Sequence, residues 1–253
     1  MWLTGCVTVT IDPSRTRVVS IGKCVIYYDK TLDIASLPPS VTWFDPVNPS
    51  LHAKTVHAGG RAAAWFVEIG SQAGVLRHYR RGGIAARFLR DQYLWTGATR
   101  TRAFSEFSMM QSLWLAGLSV PQPLAAAVWR QGIIYRAALI TARVPGAIPL
   151  AQVSDPELWA QAGRVIAKMH GAKIWHADLN VFNVLVDQEL RVWLIDFDRA
   201  KAGHVSAVRR AKNLARLLRS VRKVCPDLEH SCWPVLIKAY ALQEQAIAEI
   251  GGQ

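Results

Sequence analysis

The stretch "HADLNVFNVLVDQELRVWLIDFD", residues 176–198, decides the fold. Its second half reads as a hairpin. Residues 184–186 and 191–195 read as short strands around a charged turn, "DQEL", the pattern of two strands that pair. The strand "VWLI" buries itself and releases Asp196 and Asp198 at its tip. Asp178 and Asn183 stand just before the partner strand, so pairing the strands brings Asn183 close to Asp196. Carboxylate and amide oxygens suit Mg²⁺, and Asp178 is then available to accept or orient a hydroxyl proton. An Asp near the nucleophile, followed by an Asn and an Asp on the metal, is the order that phosphoryl transfer requires. The alternative is an ordinary hairpin with solvated acidic ends. His176, Asp178 and Asn183 standing in this order argue against it.

Before this stretch, "DPELWAQAGRVIAKMHGAK" carries a helix start: Asp155 as N-cap, Pro156 next, Leu158 three residues past the cap, and Gly171 as a stop. After it, the chain from about 207 is helical, with Pro226 and Pro234 as breaks. The N-terminal half differs. A strand is expected at 23–28, then a Pro- and Ser-rich loop, "LPPSVTWFDPVNPS". Strands follow at about 62–69 and 73–79, joined by a turn at 70–72. Residues 84–118 turn helical, with Phe104, Phe107, Met110, Leu113 and Trp114 at three- and four-residue spacing and Gly117 as the end. "VPQPLAAAVWRQGIIYRAALITARVPG" reads as two more strands around a turn at 130–132. The "PG" at 145–146 marks a lobe boundary, giving an N-terminal lobe over 1–143, with 1–18 as an appendage, and a C-terminal lobe over 144–253.

Length and composition narrow the setting. The 253 residues suffice for one large domain or two small lobes. No apolar run reaches the roughly 18 residues needed to cross a bilayer, and no secretory signal is visible at the start, so cytoplasmic residence is expected. The four cysteines, Cys6, Cys24, Cys225 and Cys232, form no CxxC pair and are expected to be thiols. The ten tryptophans serve core and pocket packing, or in part anchor at a lipid headgroup boundary.

A formal charge of +12 calls for an anionic partner. Seven arginines fall between Arg77 and Arg102, against Asp91 as the one acidic residue. Nine Lys and Arg residues, and no acid, fall between Arg199 and Lys223. "AVRRAKNLARLLRSVRK" is basic and amphipathic, with Leu214, Leu217, Leu218 and Val221 as its apolar side. It suits a membrane surface or a core helix with a solvated basic face. Tyr93 and Trp95 in "RDQYLWTG" touch sugar or membrane, or pack the small lobe.

"HADLNVFN" followed by "IDFD" resembles the catalytic loop and metal motif of the protein-kinase-like superfamily. More narrowly, the chain from about residue 22 is similar to the bacterial 3-deoxy-D-manno-octulosonic acid (Kdo) kinase family, on "LRHYRRGG", "RDQYLWTG", "TRAFSEF", "VPQP" and "HADLNVFNVLVD". The resemblance implies an α+β, bilobal protein-kinase-like fold, with a small β-rich N-terminal lobe and a larger, mostly helical C-terminal lobe. It implies ATP-dependent phosphorylation, with Mg²⁺, of the 4-hydroxyl of Kdo on lipid A precursor in lipopolysaccharide assembly. The enzyme would be a monomer, peripheral on the cytoplasmic face of the inner membrane, with no nucleic-acid partner.

By the same resemblance, Asp178 orients the acceptor hydroxyl, Asn183 and Asp196 hold metal, and His176 braces the loop. Glu106 pairs with a basic residue that grips the α and β phosphates. The usual strand lysine is absent; Arg77 stands at its position, with Arg80 as the alternative, and a guanidinium can hold phosphate and pair with Glu106. The glycine-rich loop is reduced to Gly59 and Gly60, whose backbone amides could cover phosphates. Asp198 replaces the glycine of Asp-Phe-Gly and is expected to lie in solvent.

Three other readings share some of these features. A heptose, aminoglycoside or Ser/Thr kinase would carry the same catalytic residues, though the arginine density favours an anionic glycolipid. A non-catalytic nucleic-acid-binding module has only the charge and scattered aromatics behind it. A pseudokinase scaffold would keep the fold without the transfer.

Overall fold

Short β-branched and aromatic stretches recur along the first half of the chain, and in the computed structural model the described ones pair into a sheet. Residues 9, 11–32, 37–56, 64–79, 93–95 and 97–251 are described. The chain divides into two compact units. The first comprises Thr10–Gln111 and Gln122–Arg143; the second includes Ser112–Pro121 and Val144–Gln253. The first is β-rich and the second mostly helical, the two-lobed plan of a protein-kinase-like fold.

In the first unit, β1 (Thr16–Ile21), β2 (Cys24–Asp29), β3 (Lys54–Thr55), β4 (Ala64–Ile69), β5 (Gln72–His78), β6 (Tyr93–Leu94), β7 (Pro123–Gln131) and β8 (Ile134–Ala142) form one sheet. Its order is β1-β2-β7-β8-β5-β4-β3, with β6 also on β8, and every pair is antiparallel. The tight hairpins turn on Gly22, Gly70 and Gly132, each with positive φ. Helix α1 (Arg102–Leu115) precedes β7. Ile26, Leu76, Leu124 and Ile140 are buried in the core.

Three expectations for this unit change. Residues 84–118 are not one helix: α1 begins at Arg102, and Tyr93–Leu94 is a strand on β8, its ring against Tyr135 with centroids 5.4 Å apart. Backbone pairing and aromatic contact outweigh helical spacing there; residues 80–92 lie outside the described residues. The Pro- and Ser-rich loop contains two 3₁₀ turns, Val41–Phe44 and Pro49–Leu51, which bury Trp43, Phe44 and Leu51. The segment expected as an appendage is joined to the sheet from Asp12 onward. The Asp12 N–H donates to Gln111 Oε1 at 2.9 Å, Thr16 is hydrogen-bonded to the same side chain, and β1 pairs along its length with β2.

In the second unit, β9 (Ile148–Pro149) leads to α2 (Pro156–Gly171), capped by Asp155, whose side chain accepts from the Glu157 N–H. Then come β10 (Ile174–Trp175), β11 (Val184–Val186), β12 (Val192–Leu194) and β13 (Lys201–Ala202), and the helices α3 (Ala207–Val224), α4 (Asp227–Ser231) and α5 (Trp233–Gly251). β11 pairs with β12 and β9; β10 pairs with β13. Pro226 separates α3 from α4, but Pro234 lies in the first turn of α5, where its missing N–H costs no helical bond. α2 meets α5 at Gly163: a Cβ there would lie 2.2 Å from the Leu236 carbonyl oxygen, so only glycine permits this approach.

α3 turns Leu217 and Val221 fully inward and half-buries Leu214 and Leu218. Its apolar side is therefore protein core rather than a membrane face, because folding has already removed that side from water. Arg209, Lys212, Arg216, Arg219, Arg222 and Lys223 are exposed. Trp43 and Trp159 are core residues. Among the described residues, no helix is long and apolar enough to cross a membrane, and Cys24, Cys225 and Cys232 are free thiols.

Candidate active site

The hairpin expected from the sequence holds the acidic group. Its turn is fixed by Asp187, which accepts from the N–H groups of Glu189 and Arg191, both at 2.9 Å, and from Trp193 Nε1 at 2.8 Å. β11 and β12 pair in register, Val184 opposite Leu194, and the ladder continues with the Ile195 N–H donating to the Asn183 carbonyl at 3.1 Å. Asn183 is thus joined to the residue next to Asp196. Asp196 itself has φ of 65°, a left-handed conformation that non-glycine residues rarely adopt and that clusters at functional sites.

The loop between β10 and β11 carries the remaining groups. The Asp178 carbonyl accepts from Asn180 Nδ2 at 2.9 Å and from Asn183 Nδ2 at 2.8 Å. The second bond commits the nitrogen of the Asn183 amide and leaves Oδ1 as a donor oxygen for a cation. Among the described residues, no cluster of three or more His, Cys, Asp or Glu side chains could hold a metal alone. One carboxylate and one amide oxygen are the partial set that suits Mg²⁺, which fills its octahedron with water and substrate phosphate. The donor set fits an ion that arrives with a nucleotide.

His176 is fully buried and bonded on both ring nitrogens. Nε2 lies 3.0 Å from the Ile195 carbonyl, which can only accept, so Nε2 carries the proton; Nδ1 then accepts from the Asp178 N–H at 3.2 Å. Burial holds its pKa below the usual value, against the opposing pull of the Ile195 carbonyl. A neutral imidazole bonded in this way braces the loop and has no nitrogen left for chemistry.

Three residues that sequence reasoning did not single out come from α3. Asn213 Oδ1 accepts from the His176 N–H at 3.2 Å, and its Nδ2 donates to the His176 carbonyl at 2.6 Å. The same Oδ1 faces His170 Nε2 at 3.1 Å, and His170 Nδ1 meets the Tyr240 hydroxyl at 2.9 Å. Burial pushes the pKa of His170 down to about 4, so it too is neutral. Ser220 Oγ accepts from the Val181 N–H at 3.1 Å. Arg216 donates to Asp178 Oδ1 from Nε at 3.0 Å and also from Nη2. Positions 213, 216 and 220 fall on one side of a helix, so the signal was a polar stripe in "NLARLLRS". Only contact with the loop distinguishes it from solvated surface.

In the first unit, Arg77 on β5 and Glu106 on α1 meet. Arg77 Nη2 lies 2.6 and 2.5 Å from the two carboxylate oxygens, and the Tyr79 hydroxyl donates to Oε2 at 2.5 Å. Glu106 is 2% exposed, so the charge is both paired and removed from water. Arg102 bonds the Tyr93 hydroxyl at 2.8 Å and lies over that ring; Trp95 packs edge-on against Tyr135. Both aromatics therefore have packing roles. Gly59, Gly60 and Arg80 lie outside the described residues. Asp198 is half-buried rather than solvent-exposed.

The sequence model of the lipopolysaccharide kinase (Kdo/WaaP) family matches residues 50–240. A 3-deoxy-D-manno-octulosonic acid kinase of Stenotrophomonas maltophilia (strain R551-3) is 45% identical over 185 residues, 72% of this chain and 74% of that one. Proteins of the same name from Xanthomonas campestris pv. campestris (strain B100) and Xylella fastidiosa (strain 9a5c) are 48% identical over 185 residues and 47% over 176. They cover 72% and 68% of this chain, and 74% and 71% of their own lengths.

Proposed function

The chain belongs to the lipopolysaccharide kinase (Kdo/WaaP) family, and on that premise we propose that it transfers the γ-phosphoryl group of ATP to the 4-hydroxyl of Kdo on lipid A precursor. The observation that supports the reading is the braced loop and hairpin: the Asp178 N–H donates to His176, the Asn183 amide donates to the Asp178 carbonyl, and the Ile195 N–H donates to the Asn183 carbonyl.

Among the described residues, the bonds to the Asp178 carboxylate go to Oδ1, and Oδ2 is open to accept a hydrogen bond from the sugar hydroxyl. The hydroxyl oxygen attacks the γ-phosphorus in line, the bond to the bridging oxygen breaks, ADP leaves, and the hydroxyl proton passes to Asp178. Asn183 and Asp196 would hold Mg²⁺, which supplies neutralisation of phosphate charge. Arg77, oriented by Glu106 and Tyr79, is the proposed grip on the α and β phosphates; Gly59 and Gly60, the proposed phosphate cover, lie outside the described residues. His176 holds the loop without exchanging a proton.

The acceptor carries a carboxylate and phosphates, and the exposed basic face of α3 suits both. The same charge favours the anionic lipid of the cytoplasmic face of the inner membrane, at up to about 1 kcal/mol per Lys or Arg near the surface. The enzyme acts there as a peripheral monomer.

The test is transfer from γ-labelled ATP to Kdo-lipid A, run beside heptose and protein acceptors. Label on the Kdo 4-hydroxyl is expected; no incorporation into Kdo would refute the reading. Asp178→Asn should lower kcat by roughly 10²- to 10⁴-fold, the span of general base catalysis, with ATP affinity nearly unchanged. A large loss of ATP affinity at normal turnover contradicts the assigned role.

A further inference from the structure

Asp178 poses an electrostatic problem for an acidic acceptor. A sugar acid that offers its 4-hydroxyl to this carboxylate must bring its own carboxylate close by, since the acid carbon and the hydroxyl-bearing carbon are separated by only two others. Two like charges at that range repel, and a site selective for such a sugar needs a cation shared by both.

Arg216 is placed for that. It stands on α3 three residues from Asn213 and four from Ser220, both of which hold the same loop. Its position relative to Asp178 is therefore fixed at three points along one helix. Nε and Nη2 converge on a single oxygen of Asp178. A guanidinium has five N–H donors in a planar fork; Asp178 takes two, and among the described residues the Nη1 edge is uncommitted. The side chain is 47% exposed, so that edge can be reached from solvent. A carboxylate binds such an edge through two parallel hydrogen bonds.

The geometry points to Arg216 as the residue that reads the acceptor's own carboxylate: one edge of the guanidinium orients Asp178, and the other takes the sugar acid whose hydroxyl Asp178 accepts. This inference rests on the proposed phosphorylation of Kdo. It adds a specificity-determining contact for that substrate, and it commits to the sugar carboxylate rather than to a lipid A phosphate.

The test crosses variants with acceptors. Wild type, Arg216→Gln and Arg216→Lys are assayed on Kdo-lipid A, on the same acceptor with the Kdo carboxylate methyl-esterified, and on an acceptor stripped of its lipid A phosphates. Circular dichroism and thermal melting establish that the variants are folded, as expected for a half-exposed side chain. In wild type, esterification should lower kcat/KM roughly 10- to 100-fold, the size of a lost hydrogen bond to a charged group. In Arg216→Gln, acid and ester should be turned over at nearly the same reduced rate, because the group that tells them apart is gone. Arg216→Lys, with charge but no fork, should fall between. An ester penalty as large in Arg216→Gln as in wild type overturns the inference and leaves Arg216 as a positioning residue for Asp178 alone. Coupling of the substitution to removal of the phosphates, in place of the ester, also overturns it. Absence of transfer to any Kdo acceptor by wild type is a different failure, that of the kinase reading itself.

Discussion

Asn213→Ala tests whether α3 holds the catalytic loop. The Asn213 amide serves three buried partners: the His176 N–H, the His176 carbonyl and the His170 Nε2–H. Asn213, His170 and His176 are 1%, 2% and 0% exposed, so solvent does not replace the lost bonds without an opening of the fold. Each orphaned buried group costs about 1–3 kcal/mol. With partial relief by an entering water, the sum is roughly 3–5 kcal/mol, a large share of the 5–15 kcal/mol that ordinarily separates folded from unfolded chains. The expected fall in melting temperature is on the order of 10 °C. Turnover should fall even well below the melting range, because the His176 backbone sets the position of Asp178 two residues on. Thermal melting by circular dichroism and kcat at low temperature read the two effects separately. Asn213→Asp retains both acceptor contacts but loses the donor to the His176 carbonyl, so it should be intermediate in stability. A melting temperature within about 2 °C of wild type for Asn213→Ala, with turnover kept, would refute the claim that this side chain holds the loop.

Further outcomes follow from the packing and the ion pairs. Gly163→Ala should destabilise the protein despite the roughly 1 kcal/mol helix propensity it adds. Its methyl group would lie 2.2 Å from the Leu236 carbonyl oxygen and force α2 from α5, an overpacking cost of about 1–3 kcal/mol or more; a raised melting temperature would contradict that contact. Glu106→Gln removes the charge that orients Arg77 and should weaken ATP binding roughly 10- to 100-fold by calorimetry, whereas unchanged binding would dissociate Arg77 from the nucleotide. His170 has a pKa of about 4 in the folded protein against 6.5 as its ordinary value. The unfolded chain therefore binds the extra proton first, and stability present above pH 6.5 is lost as pH falls toward 4, by about 3 kcal/mol. The lowered pKa of His176 acts in the same direction. Urea melts between pH 7 and pH 4.5 measure the loss, and a flat profile would show that His170 is not held neutral.

The sequence by itself determined the reactive loop and its hairpin. Asp178, Asn183 and Asp196 fall within 19 residues, and the two short strands around the turn at Asp187 carry Asn183 to the residue next to Asp196; that pairing needs no distant partner. The same holds for the cap at Asp155 and for the hairpins of β4 with β5 and β7 with β8. Helical spacing misled where the backbone had a stronger alternative, as at Tyr93–Leu94, whose strand exists only because Tyr135 and β8 are beside it. Charge does not discriminate in α3, where seven Lys and Arg residues look alike in a sequence. Folding separates Arg216 from the others, because its guanidinium meets the Asp178 carboxylate, 38 residues away in the chain. Asn213 and Ser220 reach the loop across 37 and 39 residues. Local spacing can encode which groups react, since neighbours in sequence are neighbours in space. Which groups hold and select depends on helices closing over long stretches of chain, and that closure is decided by burial of Leu217, Val221 and Gly163 in the tertiary structure.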